Sequence, residues 1–239
     1  MTQNKAIVIT PVKNSLENTL VTIQCIKNSS IPVDYYVYDD YSEPEISKTL
    51  ATKADELGFH YIHLSALTNT PSPNYFTVLK DAQSKCIAGG MPLIIVESDV
   101  EVKPNTLDIL LQFYKEDKNN VGMVGAITVD YDNKINFPYL KFKDNKESHI
   151  ETNRSLSFCC TLIALEYLKK FSFQNLDQSK DWFDTTISHA SIENGFKNYV
   201  LLNTPVLHKP HGSRPWKKLK YTNPFKYYWL KFTKGRDKI

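Results

Sequence analysis

Three carboxylates, Glu97, Asp99 and Glu101, stand at alternate positions directly after the branched aliphatic run Leu93-Ile94-Ile95-Val96. On an extended backbone this spacing puts the side chains on one side, where their oxygens can converge on a hard divalent cation that in turn holds a phosphate. A solvated acidic strand end fits the same pattern, and the local sequence does not choose between the two. A second acidic pair, Asp39-Asp40, closes the run Val33 to Tyr38 and reads either as turn residues or as ligand contacts. Asp181 and Asp184 sit at the start of a helical segment, where an acid serves as cap, as partner of the helix dipole or as proton acceptor. His208 opens a stretch with Lys209, His211 and Arg214 that has the chemistry for a metal or a diphosphate.

These residues need elements to hold them, and the chain supplies strands and helices in alternation. Lys5 to Thr10 reads as a strand, followed by a helix that Asn14 can cap with Glu17 three residues on, its apolar stripe formed by Leu16, Leu20 and Ile23. Val33 to Tyr38 is a second strand, Ile46 to Leu57 a helix stopped by Gly58, and Tyr61 to Leu64 a third strand. Tyr75 to Ile87 is a helix stopped by Gly89-Gly90. After the acidic strand, Pro104 opens a helix and Val121 to Val129 returns as a strand. Leu156 to Leu165 then reads as an apolar strand, Trp182 to Ile192 as a helix, and Tyr199 to Leu202 as the last strand. The alternation predicts an α/β fold: a Rossmann-like, mostly parallel sheet with helices on both faces. In such sheets ligands bind beyond the carboxyl ends of the strands, where the acids fall.

The chain has 239 residues, 41% hydrophobic and 23% charged, enough for one large domain and without internal repeats. Its apolar runs are far shorter than the ~20 residues of a membrane span, and Met1 to Lys5 has no signal-peptide core, so a cytoplasmic protein is expected. Cys25, Cys86, Cys159 and Cys160 lack CxxC or Cys/His spacing, which favours buried free thiols over disulfides or a zinc site. Nine Lys or Arg and one acid lie from Arg214 onward; of the 29 basic and 26 acidic residues, 20 and 25 precede it, a net of −5. A mildly acidic domain, residues 1–213, with a basic aromatic tail, residues 214–239, is expected, and this distribution speaks against a nucleic-acid partner.

In order, the segments Ala6-Ile7-Val8-Ile9-Thr10-Pro11-Val12-Lys13-Asn14, Val37-Tyr38-Asp39-Asp40-Tyr41-Ser42, Val96-Glu97-Ser98-Asp99 through Leu107, and Asp181-Trp182-Phe183-Asp184 with Gly195-Phe196 eleven residues on resemble the motifs of family-two glycosyltransferases with the GT-A fold. The resemblance covers roughly residues 5 to 213. It implies that Asp40 contacts the nucleotide base, that Thr10, Pro11, Glu97, Ser98, Lys80 and Arg214 line the donor site, and that Asp99, with Glu101 and His208, binds a divalent cation, Mn or Mg. Asp184 takes the place of the general base. This sequence departs from the family pattern at Glu97 for the first Asp of the metal motif, Tyr41 for a turn Gly, Phe183 for the Glu before the base, and Asp81 where an Arg is common. No Gln-x-x-Arg-Trp motif is present, so the resemblance implies addition of a single sugar rather than processive synthesis.

The implied activity is inverting, metal-dependent hexosyl transfer from a nucleoside-diphosphate sugar to a glycan or lipid-linked acceptor, in surface polysaccharide or lipopolysaccharide assembly. A nucleotide-sugar or glycan-binding domain without turnover is the alternative that the departures suggest. A sugar-phosphate nucleotidyltransferase would need a Gly-rich loop after the first strand, and Thr10 to Ser15 contains no Gly. In the tail, Phe225, Tyr228, Trp229 and Phe232 recur at helical spacing among Lys226, Lys231, Lys234 and Arg236. They suit a peripheral site on the anionic inner face of a membrane, or docking of the aromatics on the protein's own domain.

Overall fold

The computed structural model describes residues 5–178, 182–209 and 223–233. The chain forms two compact units, Met1–His208 and Lys209–Ile239. In the first, four strands follow the expected alternation: β1 (Ile7–Val12), β2 (Asp34–Asp39), β3 (His60–His63) and β4 (Leu93–Val96), joined by α1 (Leu16–Lys27), α2 (Pro44–Leu57) and α3 (Tyr75–Gly89). They pair in parallel in the order β3-β2-β1-β4. Every residue of β4 is buried, as its run of branched aliphatics requires of a central strand covered on both faces. Pro44 starts α2 where no N–H is needed, and Gly58 at φ +69° ends it in the left-handed conformation.

Beyond β4 come β5 (Val100–Glu101), α4 (Thr106–Glu116), β6 (Val121–Val129), β7 (His149–Glu151), β8 (Cys160–Ile163), α5 (Leu165–Lys170), α6 (Phe183–Glu193) and β9 (Lys197–His208). The sheet continues β4-β8-β6-β9-β5, with β7 also on β9. The α/β class is as expected, but this half is mixed: β8 runs antiparallel to both β4 and β6, and β5 and β7 run antiparallel to β9. A parallel neighbour needs a crossover of a dozen or more residues, usually helical. The chain from β6 to β8 offers only a short 3₁₀ turn and β7, so β8 enters head to tail.

Three local expectations need correction. The strand expected over Leu156 to Leu165 is confined to Cys160–Ile163. The strand expected over Tyr199 to Leu202 extends from Lys197 to His208; Asn203-Thr204-Pro205 looks like a breaker, yet the ladder absorbs it in a register shift between Ala126 and Ile127. Asn14 does not cap α1. The cap position is Ser15, and the Asn14 side chain instead accepts the Glu43 N–H at 2.8 Å, tying the β1–α1 turn to the β2–α2 turn.

In the second unit the helix Pro224–Thr233 carries Phe225, Tyr228, Trp229 and Phe232, all more than half exposed. No helix among the described residues is long and apolar enough to cross a membrane.

Candidate active site

The antiparallel entry of β8 builds the centre of the site. Cys160 is opposite Val96, so the residue before β8 lies beside the residue after β4, and the Glu97 N–H donates to the Cys159 carbonyl at 3.0 Å. The chain then turns, with the Val100 N–H donating to the Glu97 carbonyl at 3.1 Å across Ser98 and Asp99. This corrects the expectation of an extended acidic run, because a turn breaks the period-two alternation that would align the three carboxylates. Val100 pairs with His208 and Glu101 with Leu207. Opposed residues share a face and successive ones alternate, so Glu101 is directed away from the His208 side. What converges instead is Glu97, Cys159 and His208, whose ligand atoms all lie within 4.8 Å of one another. One carboxylate, one thiol and one imidazole at that separation fit a divalent ion.

His208 is held from several directions. The Asn136 side-chain amide donates to its carbonyl at 3.0 Å, and its Nδ1 lies 2.9 Å from the Phe137 carbonyl. Its Nε2 lies 3.2 Å from Asp99 Oδ2. A carbonyl only accepts, so Nδ1 carries the proton; Nε2 then faces a carboxylate and needs either a second proton or a cation. Burial works against the charged ring, but the hydrogen bond and charge of Asp99, the Phe137 carbonyl and the charge of Glu97 outweigh it and raise the pKa of His208. The Cys159 thiol, 3.4 Å from Glu97 Oε2, is pushed well above its ordinary value by burial first and by Glu97 second.

At the end of β2 the two aspartates divide their work. Asp39 is fully buried and accepts from the Ser42 N–H at 2.9 Å, Ser47 Oγ at 2.5 Å and Tyr61 Oη at 2.7 Å. Burial favours its neutral form, but these donors together hold its pKa below the ordinary value. Asp40 is half-buried and accepts from Ser72 Oγ at 2.7 Å and from the backbone and side-chain N–H groups of Asn74, both at 2.8 Å. Lys13 Nζ donates to the carbonyls of Asp40 and Tyr41, and Tyr41, at φ +56°, supplies the backbone conformation for which a turn Gly is the usual residue.

Asp184 lies in the first turn of α6, half-buried, with Oδ1 accepting the Thr185 N–H at 2.8 Å. Phe183 before it packs against Tyr75 and Phe76, with ring centroids 6.3 and 6.1 Å away, and Tyr75 also meets Phe158. The hydroxyl of Tyr139 is buried, which raises its pKa, and it accepts the Ser157 N–H at 3.1 Å, two residues before Cys159. Gly125 makes room for that hydroxyl: a Cβ there would come within 2.8 Å of it.

Of the other residues expected in the site, Thr10 holds its hydroxyl in the core: it is fully buried in β1 and accepts from Tyr35 Oη at 2.9 Å. Pro11 is half-buried beside Tyr38 in the β1–β2 register, and Ser98 is buried in the turn after Glu97. Lys80 holds its ammonium 4.8 Å from the Phe76 ring centroid. Asp81 is tied to Tyr38 Oη at 2.6 Å and Lys85 Nζ at 2.5 Å, a structural role for this departure from the pattern. Asp181 and Arg214 lie outside the described residues. The sequence reading missed Cys159, which touches Glu97, Asn136 and Phe137, which hold His208, and Ser72 and Asn74, which hold Asp40; no local spacing connects them to these partners.

A family model described as glycosyl transferase family 2 matches residues 7–172. No curated protein matches the sequence. Among solved structures, S. aureus TarS (residues 1–349) is similar with a TM-score of 0.66 and 18% identity, over 86% of this chain and 60% of that one. The same protein in complex with UDP-GlcNAc gives 0.66 and 19%, over 95% and 64%. The mannosyltransferase PcManGT from Pyrobaculum calidifontis, in complex with GDP-Man and Mn2+, gives 0.60 and 12%, over 98% and 65%. This chain thus spans less than two thirds of each of these structures, and at such identities the likeness is one of fold.

Proposed function

The chain belongs to glycosyl transferase family 2, and from that premise we propose that it moves a single sugar from a nucleoside-diphosphate sugar to a glycan or lipid-linked acceptor, with inversion at the anomeric carbon. The observation that carries this reading is the gathering of Glu97, Asp99, Cys159 and His208 at the carboxyl end of β4, where α/β sheets bind their ligands. The complexes of the fold relatives with UDP-GlcNAc and GDP-Man support the same donor class.

Asp40 offers carboxylate oxygens at the end of β2, already oriented by Ser72 and Asn74, to accept an N–H of the nucleotide base. Glu97 and His208 would hold a divalent cation, with Asp99 facing the same Nε2 of the imidazole that the ion would take. Such a cation, Mn or Mg in the family, supplies positive charge for a departing nucleoside diphosphate. Asp184, on another element, takes the proton of the acceptor hydroxyl as it attacks, and attack opposite the leaving group inverts the anomeric centre. Phe183, next to Asp184 in the chain, packs against Tyr75 and Phe76, and Tyr75 against Phe158; an apolar cluster there would help keep water from competing with the acceptor. Surface polysaccharide or lipopolysaccharide assembly is the setting this chemistry suits, on the inner face of a membrane that the basic aromatic tail can approach.

The test is calorimetry and donor hydrolysis with a panel of nucleotide-sugars, with added divalent ion and with chelator. Binding of one donor class with slow, ion-dependent release of nucleoside diphosphate is expected. Binding without any release, with or without acceptors, would make this a binding domain, and binding of none would end the reading.

A further inference from the structure

The cluster at the end of β4 contains one donor that an all-oxygen cation site lacks. Magnesium and manganese favour oxygen ligands, whereas thiolate sulfur and imidazole nitrogen favour zinc and its chemical neighbours. We propose that Glu97, Cys159 and His208 form a three-ligand centre of one oxygen, one sulfur and one nitrogen that prefers a zinc-class ion to magnesium, with Cys159 as the residue that sets the preference. The proposal deepens the donor-site reading above and rests on it for the role of the open position.

Geometry supports it at each ligand. Zinc bonds of about 2.0–2.1 Å to nitrogen and oxygen and about 2.3 Å to sulfur, at tetrahedral angles, put neighbouring ligand atoms ~3.3–3.7 Å apart. Cys159 Sγ is 3.4 Å from Glu97 Oε2, and all three ligand atoms are within 4.8 Å. Two of the ligands are fixed by the sheet itself: Cys159 by the Glu97 N–H and the Val96–Cys160 pairing, His208 by the Val100 pairing and the Asn136 amide. With Nδ1 committed to the Phe137 carbonyl, Nε2 is the nitrogen left for an ion, and Asp99 Oδ2, 3.2 Å from that same nitrogen, adds negative charge on the ion's side of the ring. Three protein ligands leave a fourth tetrahedral position, the arrangement of zinc sites that accept a substrate oxygen; here that oxygen is one of the donor's diphosphate. On binding, the Cys159 thiol proton and the Nε2 proton pass to solvent as the sulfur–ion and nitrogen–ion bonds form, and no oxidation state changes.

The competing account is that Cys159 is a packing residue whose thiol bonds only to Glu97 and Ser157. Cobalt(II) separates the two, because sulfur ligation gives a charge-transfer absorption in the near ultraviolet that oxygen and nitrogen ligands do not. The reduced full chain, freed of metal by chelator, is titrated with Co2+. The expected result is a band that saturates at one equivalent, is lost in Cys159→Ser and survives in Cys160→Ser. Zinc should displace magnesium with a preference that falls at least tenfold in Cys159→Ser. Because the band is read first in the unmodified protein, a misfolded variant cannot rescue the proposal. Cobalt binding without the band, a band that persists in Cys159→Ser, or no cobalt binding at all overturns it. Cobalt bound without the band, alongside ion-dependent nucleotide-sugar binding, removes only the sulfur ligand and leaves the transferase reading standing. The band without binding of any nucleotide-sugar keeps the centre and removes that reading.

Discussion

His208 Nε2 lies 3.2 Å from Asp99 Oδ2, and the two side chains are 9% and 0% exposed. A pair this deep is poor evidence of net stabilisation, since desolvating two charges offsets most of their attraction, but removal of one member leaves the other buried without its counter-charge. His208→Ala is therefore expected to cost about 3–5 kcal/mol in urea unfolding. A loss below ~1 kcal/mol would mean that Asp99 finds other compensation in the site.

Asp99 should matter for ligand as well as for fold. Nucleoside-diphosphate affinity is expected to rise with a divalent ion, and Asp99→Ala should remove that dependence, because the carboxylate faces Nε2 of His208, the nitrogen that would hold the ion. Titration calorimetry with ion and with chelator checks it. Equal affinity under both conditions in the unmodified protein would count against an ion in donor binding.

The first half of the fold was legible because each of its relations is local. A short run of β-prone aliphatic or aromatic residues, a turn and a helix recur three times before β4, and parallel order follows from the crossovers. The second half was less so. Nothing in Phe158-Cys159-Cys160 says that β8 will insert between β4 and β6, and that insertion alone brings Cys159 to Glu97. Metal-ligand spacing rules read neighbours along the chain, so a cysteine 62 residues from its partner is invisible to them. His208 was singled out by its company, but its place at the end of a twelve-residue strand was hidden by Asn203-Thr204-Pro205. The acids at positions 97, 99 and 101 were correctly put at a strand end and incorrectly aligned, because a turn cannot be told from an extended run by charge pattern.

Asp39 predicts an acid limb to the stability curve. Burial alone would raise its pKa, yet Ser42, Ser47 and Tyr61 donate to the carboxylate and hold it below its ordinary value of 3.8. A depressed carboxylate contributes stability above its unfolded pKa and loses it as pH falls through the folded one. Asp39→Asn should cost about 1.5–3 kcal/mol at pH 7, the scale of hydrogen bonds to a charged group. The difference between the two proteins should shrink below pH 3.8. Unfolding curves at pH 7 and pH 3 decide it, and a difference that does not change with pH would show that packing rather than charge is at work.

The helix Pro224–Thr233 gives a prediction about surfaces. Phe225 and Phe232 are 82% and 78% exposed, with Trp229 between them, and the segment from Arg214 onward has nine basic residues and one acid. Amphipathic aromatic and basic segments bind anionic bilayers. Removing the residues after Thr222 should leave the protein folded, with an unchanged melting temperature, and weaken flotation with anionic liposomes. Loss of folding, or equal flotation of both proteins at low salt, would favour docking of these aromatics on protein.

The last prediction concerns which acid near the start of α6 takes the proton. A general base must come within ~2.6–3.2 Å of the acceptor hydroxyl, directly or through one water, so of two acids three residues apart in the sequence only one is expected to take the role. Asp184 is in the first turn of α6, half-buried, with Oδ1 accepting the Thr185 N–H at 2.8 Å. Asp184→Asn keeps the shape and the Thr185 contact but cannot accept a proton, and should lower turnover by a factor on the order of a hundred to ten thousand. Donor affinity should hold, because the residues assigned to the diphosphate lie at the end of β4. Asp181→Asn should do less. Turnover of both variants with a working acceptor separates the roles: near-normal activity in Asp184→Asn removes it from the mechanism, and a larger loss in Asp181→Asn moves the role three residues toward the N-terminus.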